Sequence, residues 1–161
     1  MNIYQLSTFS KSKPKLDAFY YFQAIRSKPC NLDFIECAYR RQQASMCKEF
    51  VQHFPADSQS IVLVAPTTKP ELLAPFCAAL KSEKRNITII ENAFEKSGHS
   101  GIAGSDYTMK YFPDRVLVEE RHKRILFLDD IYDSGCTFNH MRAGMNTVLP
   151  VDGFVLLKIT D

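Results

Sequence analysis

The chain predicts an α/β fold, a mainly parallel twisted sheet flanked by helices, and three observations carry that expectation. Short apolar runs recur along it: "IVLV" at 61–64, "NITII" at 86–90 and "ILFL" at 125–128. Each run is continuous rather than alternating, as in strands covered on both faces. Between the runs lie segments with apolar residues at helical spacing, and strands that alternate with helices build parallel sheets.

Residues 1–31 read as irregular apart from a short strand at Ile3–Leu6 and an aromatic cluster, "AFYYFQAI" (18–25), whose rings suit core packing. Asn31 is placed to cap a helix over Leu32–His53, in which Ile35, Tyr39, Met46 and Phe50 fall near helical spacing. The polar, proline-bearing "HFPADSQ" ends it. After the strand Ile61–Val64, Ala65–Lys69 is a loop. A helix follows to about Lys81, with Leu73, Phe76, Cys77 and Leu80 on one face. Pro70 suits a first turn but Pro75 does not suit an interior, so this helix either kinks or starts at Pro75. From Glu91 to Arg115 the pattern dissolves. Gly98, Gly101 and Gly104 mark a mobile loop there, followed by a strand around Val116–Val118. "EERHKR" is then a charged turn, Ile125–Leu128 a strand, "TFNHMRAGM" a helix and "GFVLLKIT" (153–160) the last strand.

Composition narrows the function classes. The chain has 161 residues, 45% hydrophobic and 24% charged, enough for one domain with a substantial core. A net charge of +2 is too small to argue for nucleic acid or an anionic membrane. No apolar run approaches the roughly 20 residues that span a bilayer. "MNIYQLSTFSKSKPK" lacks the unbroken apolar core of a secretory signal, so a cytoplasmic location is expected. Cys30, Cys37, Cys47, Cys77 and Cys136 form no C-x-x-C pair, and the first four read as reduced thiols and small buried hydrophobes. His53, His99, His122 and His140 are scattered, suggesting neither a metal cluster nor a Cys/His pair.

The informative stretch is Ile125–Met141, "ILFLDDIYDSGCTFNHM". A buried strand runs straight into Asp129 and Asp130, then into Asp133, Ser134, Gly135, Cys136 and Thr137 before a helix. Ligands of parallel sheets bind beyond the carboxyl ends of strands, where these residues fall. A helix start offers unpaired N–H groups and partial positive charge, and so suits phosphate. Gly135 permits close approach, and Ser134 and Thr137 add hydroxyls. Ionised carboxylates only accept hydrogen bonds, so Asp129 and Asp130 suit ribose hydroxyls or a magnesium ion held near them. A 5-phosphorylated ribose satisfies both halves. The bland alternative is an acidic strand end followed by a capped helix, with Asp133 or Ser134 as N-cap.

"ILFLDDIYDSGCT" resembles the thirteen-residue phosphoribosyl-pyrophosphate (PRPP) motif of the type I phosphoribosyltransferases. That motif has four apolar residues, two acidic ones, two mostly apolar ones and a short Thr/Ser/Gly-rich loop. The order of elements over roughly 32–160 is also similar. The resemblance implies a Rossmann-like core at 32–161 and a minimal hood at 1–31. It implies PRPP ribose binding by Asp129 and Asp130, and 5-phosphate binding by Asp133, Ser134, Gly135, Cys136 and Thr137. By position, Thr67, Thr68 and Lys69 of "APTTK" correspond to the pyrophosphate loop, though a plain connector is equally open. Segment 92–112 corresponds to a flexible closing loop, to which Lys96, His99 or Lys110 would bring positive charge.

What the resemblance implies chemically is a Mg²⁺-dependent enzyme that transfers the 5-phosphoribosyl group of PRPP to a nitrogenous base with release of pyrophosphate. Relatives acting on 6-oxopurines carry aspartate at the position of Asp133, which makes it the catalytic candidate, as general base or hydrogen-bond partner. With the sequence ending at Asp161, soon after the last strand, the base-binding elements that follow the core in the purine enzymes are expected to have no counterpart. The short form, with Tyr132 in "DDIYDSGCT", is also similar to the competence-protein-F-like branch. The alternative is therefore a non-catalytic PRPP- or nucleotide-binding module acting in regulation or DNA uptake. Expected partners are PRPP and an unidentified base, with no membrane, no nucleic acid, and a homodimer as the commonest assembly.

Overall fold

The computed structural model describes residues 1–13, 33–67, 70–84, 86–97, 106–109 and 115–161. Strands β1 (Ile3–Phe9), β2 (Ser60–Val64), β3 (Thr88–Ile90), β6 (Arg124–Tyr132) and β7 (Val151–Ile159) form one sheet in the order β1-β7-β6-β2-β3. Every ladder in it is parallel. Strands β4 (Phe94–Ser97) and β5 (Asp106–Met109) form a separate antiparallel pair. The helices are α1 (Asp33–His53), α2 (Pro70–Glu83), α3 (Arg115–Arg121) and α4 (Cys136–Ala143). No helix among the described residues is long and apolar enough to cross a membrane.

Two of the three apolar runs, 61–64 and 125–128, are central strands, as two covered faces require, whereas the run at 86–90 is corrected to the short edge strand β3, with Thr88 exposed and Ile89 half-buried. All five residues of β2 are buried, as are Ile125–Leu128 of β6. On one face Val62, Val64, Leu126, Leu128 and Phe154 pack with Phe50 and Phe54, at the end of α1 and just beyond it, and with Leu73, Phe76 and Leu80 of α2. Phe50 stands at the middle, its ring 5.0–5.4 Å from those of Phe54, Phe76 and Phe154. The other face joins Ile61, Leu63, Ile125, Phe127 and Val155 to Phe138 and Met141 of α4, Val118 of α3 and Phe94 of β4.

Several sequence expectations are corrected. The strand near the N-terminus runs to Phe9 and pairs with β7, because Leu6 and Phe9 both reach the core. Residues 3–9, grouped with the N-terminal segment by the sequence, are thus part of the main sheet. α2 starts at Pro70 and passes through Pro75, so the start at Pro75 is excluded. Its buried stripe is Leu72, Leu73, Phe76, Cys77 and Leu80, and the bond lost at Pro75 is one first-turn carbonyl at Glu71. Val116–Val118 is helix, not strand: β6 already has β2 and β7 on its two edges, and His122 N–H closes a turn onto the Val118 carbonyl at 2.9 Å. Part of the expected loop at 92–112 is the β4–β5 pair, anchored by buried Ala93 and Phe94. Asn31 and the aromatic cluster at 18–25 lie outside the described residues.

Gly153 lets the two halves of the α4 side meet. A methyl group there would overlap the Phe138 ring of α4 and touch Ile3 of β1. Gly153→Ala is expected to destabilise the fold by about 1–3 kcal/mol through overpacking. Urea denaturation of native and variant protein checks it, and an unchanged midpoint would mean that Phe138 does not seat on β7.

Candidate functional site

The chain leaves β2 outward to β3 and returns on the other side of β2 as β6, so the strand order reverses between β2 and β6. Outside the carboxyl ends of such a strand pair lies the crevice where open parallel sheets bind ligands. Ala65 N–H donates to the Leu128 carbonyl at 2.7 Å, carrying the β2–β6 pairing one residue past β2. Beyond that point Thr67 Oγ1 donates to Asp130 Oδ2 at 2.9 Å. Two stretches that the sequence singled out separately, the "APTTK" loop and the acidic pair, therefore touch. Thr68 and Lys69 lie outside the described residues.

Asp129 and Asp130 belong to β6, which is longer than the sequence suggested, and they are only 5% and 9% exposed. Buried carboxylates need donors. Asp130 N–H donates to Asp129 Oδ1 at 2.8 Å, and Ile131 N–H donates to Asp130 Oδ1 at 2.7 Å. The ladder to β7 passes from Asp129–Val155 to Ile131–Leu157 across this point. The register keeps the same offset on both sides of it. Side-chain capture of backbone N–H groups holds both carboxyls at the strand's end. Among the described residues Asp130 accepts one bond on each oxygen, and a carboxylate oxygen accepts about two, which suits it to a further hydroxyl donor. Carboxylate oxygens of this kind also fit Mg²⁺, which binds through one or two of them and completes its shell from phosphates and water.

The next loop turns on Gly135, the N-cap of α4, at φ 79°. No side chain caps the helix, so the reading of Asp133 or Ser134 as a structural N-cap is not realised. Among the described residues Ser134 Oγ makes a long contact, 3.4 Å, with Cys136 N–H. The glycine is required twice over. Its dihedral is left-handed, and a Cβ would come within 2.6 Å of the Tyr132 hydroxyl. Tyr132 floors the loop, its ring 6.0 Å from that of Phe138 and 5.7 Å from the Lys158 ammonium. Asp133, Ser134 and Cys136 are exposed and Thr137 half-buried, so the loop presents its polar atoms outward.

Some neighbours were missed. Histidines scattered in sequence suggested no Cys/His pair, yet Cys136 Sγ lies 3.7 Å from His140 Nε2. The signal was there, because residues four apart share a helix face. Lys11, in the turn after β1, places Nζ 3.9 Å from Asp133 Oδ2. Both side chains are about half exposed, so that pair contributes little to stability. The turn surrounds Asp161, beyond the end of β7, which accepts from Ser10 Oγ, Lys11 N–H, Ser12 N–H and Ser12 Oγ. Recognising "SKSK" (10–13) as a site element required knowing that β1 lies beside β7. The backbone of Lys96 lies in β4, while His99 and Lys110 are outside the described residues.

No protein-family model matches the chain, and no curated protein is significantly similar to it.

Two outcomes are expected. Gly135→Ala meets both the left-handed dihedral and Tyr132, and should cost about 1–3 kcal/mol in chemical denaturation. A variant as stable as the native protein would show that the loop has another conformation. The hydroxyls of Ser12 and Ser10, chiefly, hold the Asp161 carboxyl well below the usual carboxylate range. A depressed folded-state pKa gives stability that is present above the ordinary aspartate value and fades as pH falls below it. The stability difference between native protein and Asp161→Asn should therefore be full at neutral pH and shrink below about pH 4. A difference that is constant from pH 7 to pH 2 would overturn that assignment.

Proposed function

We propose that the chain is a Mg²⁺-dependent phosphoribosyltransferase that moves the 5-phosphoribosyl group of PRPP onto a nitrogenous base and releases pyrophosphate. The observation that carries this reading is the Thr67–Asp130 hydrogen bond at the reversal of strand order. It joins a loop suited to diphosphate to a carboxylate pair suited to ribose, a few residues before an exposed small-residue turn suited to the 5-phosphate.

In this reading Asp129 and Asp130 accept hydrogen bonds from the ribose hydroxyls, and the Ser134–Thr137 turn holds the 5-phosphate through its N–H and O–H groups. Thr67, with Thr68 and Lys69, orients the diphosphate. The bond from C1 to the diphosphate oxygen breaks as the bond from C1 to the base nitrogen forms. Asp129 and Asp130 would hold Mg²⁺, which would supply charge neutralisation to the departing diphosphate. Asp133 takes the proton, or a hydrogen bond, from the attacking nitrogen, a role worth on the order of 10²–10⁴ in rate.

Calorimetric titration of PRPP, with and without Mg²⁺, tests the site. Binding should require the metal and weaken by at least about tenfold in Asp129→Asn/Asp130→Asn, since each loses a charge-assisted acceptor. No heat at millimolar PRPP would leave the motif a structural feature only. Where binding is found, pyrophosphate release in a nucleobase screen separates a transferase from a binding module.

A further inference from the structure

Four donors in the Ser10–Lys13 turn converge on one carboxylate. Asp161 Oδ2 accepts from Ser10 Oγ at 2.8 Å, Ser12 Oγ at 2.5 Å and Ser12 N–H at 3.2 Å, while Oδ1 accepts from Lys11 N–H at 2.5 Å. The turn is shaped around that point by its own bond from Lys13 N–H to Ser10 Oγ at 3.1 Å, and the Ser10 and Ser12 hydroxyl oxygens lie 3.0 Å apart. Successive N–H and O–H groups aimed at one place form an anion-binding concavity. All of these residues are exposed or half-exposed, so the concavity opens to solvent at the carboxyl edge of the sheet. Thr160 is pinned to β1 through its N–H to the Phe9 carbonyl at 3.0 Å, whereas Asp161 reaches the turn with a side chain of two torsions. The occupant can therefore swing out without disturbing β7.

Lys11 ties this concavity to the site. Its N–H is one of the four donors, and its Nζ lies 3.9 Å from Asp133 Oδ2. A lysine stem spans on the order of 6 Å, comparable to the width of a small heterocycle.

We infer that the Ser10–Lys13 turn is an anion subsite in which the Asp161 carboxylate holds the place of an acidic group, carboxylate or phosphate, on the incoming acceptor. Assignment to the acceptor rests on the phosphoribosyl-transfer reading above; the anion subsite itself does not. A nitrogen heterocycle anchored by its acidic substituent in the turn would present its ring toward Asp133. Neutral bases lack the group that displaces Asp161, so the resident carboxylate selects against them.

The test is amide chemical-shift titration of the isotopically labelled native chain and Asp161→Asn with inorganic phosphate, benzoate and neutral benzamide. In Asp161→Asn the amides of residues 10–13 should respond to phosphate or benzoate, saturating at about tenfold lower concentration than in the native chain, and benzamide should leave them still. Ser10→Ala/Ser12→Ala in the Asp161→Asn background should abolish the response. If residues 10–13 lose dispersion in Asp161→Asn and anions restore it, the subsite stands. If anions do not restore it, or if benzamide acts as benzoate does, Asp161 is a structural fastening and the inference falls. A parallel PRPP titration with Mg²⁺, read at residues 134–138, reports on the transferase reading separately. A response at 10–13 without one at 134–138 keeps the anion subsite and removes its link to phosphoribosyl transfer.

Discussion

The carboxyl edge of this sheet depends on how the end of β6 disposes of two backbone N–H groups. Asp130 and Ile131 donate theirs to the side chains of Asp129 and Asp130. Carboxylates in an otherwise apolar strand would be costly if they had to find partners elsewhere. Here the strand supplies the donors itself, and the outer oxygen of Asp130 turns to Thr67. One local arrangement thus does two things. It makes the buried carboxyls tolerable and joins the loops after β2 and β6.

Packing beneath that edge is built to hold it still. Phe127 and Phe138 meet with ring centroids 5.7 Å apart, coupling β6 to the helix that follows its loop. Phe138 in turn needs the missing side chain of Gly153 on β7, and Tyr132 needs the missing side chain of Gly135. Two glycines therefore play different roles along one seam. Gly153 admits a ring; Gly135 also supplies a left-handed dihedral that starts α4 directly after the turn. A rigid floor under an exposed polar turn is the arrangement by which a loop gains a definite shape without burying its own hydrogen-bonding groups.

The central strands were legible because their burial on both faces writes continuous apolar runs, and α2 and α4 because their apolar residues keep helical spacing. The acidic pair was legible as a candidate site because charge at the end of an apolar run has no packing role. What escaped had no local signature. Of β1 only Ile3–Leu6 was expected, and its continuation to Phe9 follows from pairing with β7, so the turn at Ser10–Lys13 reads from sequence as irregular chain. "VLV" at 116–118 carries strand propensity but has no free strand edge at β6 to join. β4 and β5 are polar and short, and their pairing shows in the Phe94 anchor rather than in periodicity. The Thr67–Asp130 contact spans residues 63 apart in sequence, a relation that only topology creates.

Charge along the edge is arranged in alternation. From β2 toward β1 the edge runs from the Thr67 hydroxyl to the buried carboxyls of Asp129 and Asp130, then to a turn of N–H and O–H groups at 134–137. It continues to Asp133 facing Lys11, and ends in the donors that surround Asp161. Acceptors in the middle with donors on either side match a ligand that is hydroxyl-bearing at its centre and anionic at its ends. A simple metal cage would require acceptors to converge, and a nucleic-acid groove would require an unbroken basic track. Neither pattern is seen among the described residues of this edge. In the proposed reading a small phosphorylated sugar meeting an acidic partner would set its charges against donors and its hydroxyls against acceptors.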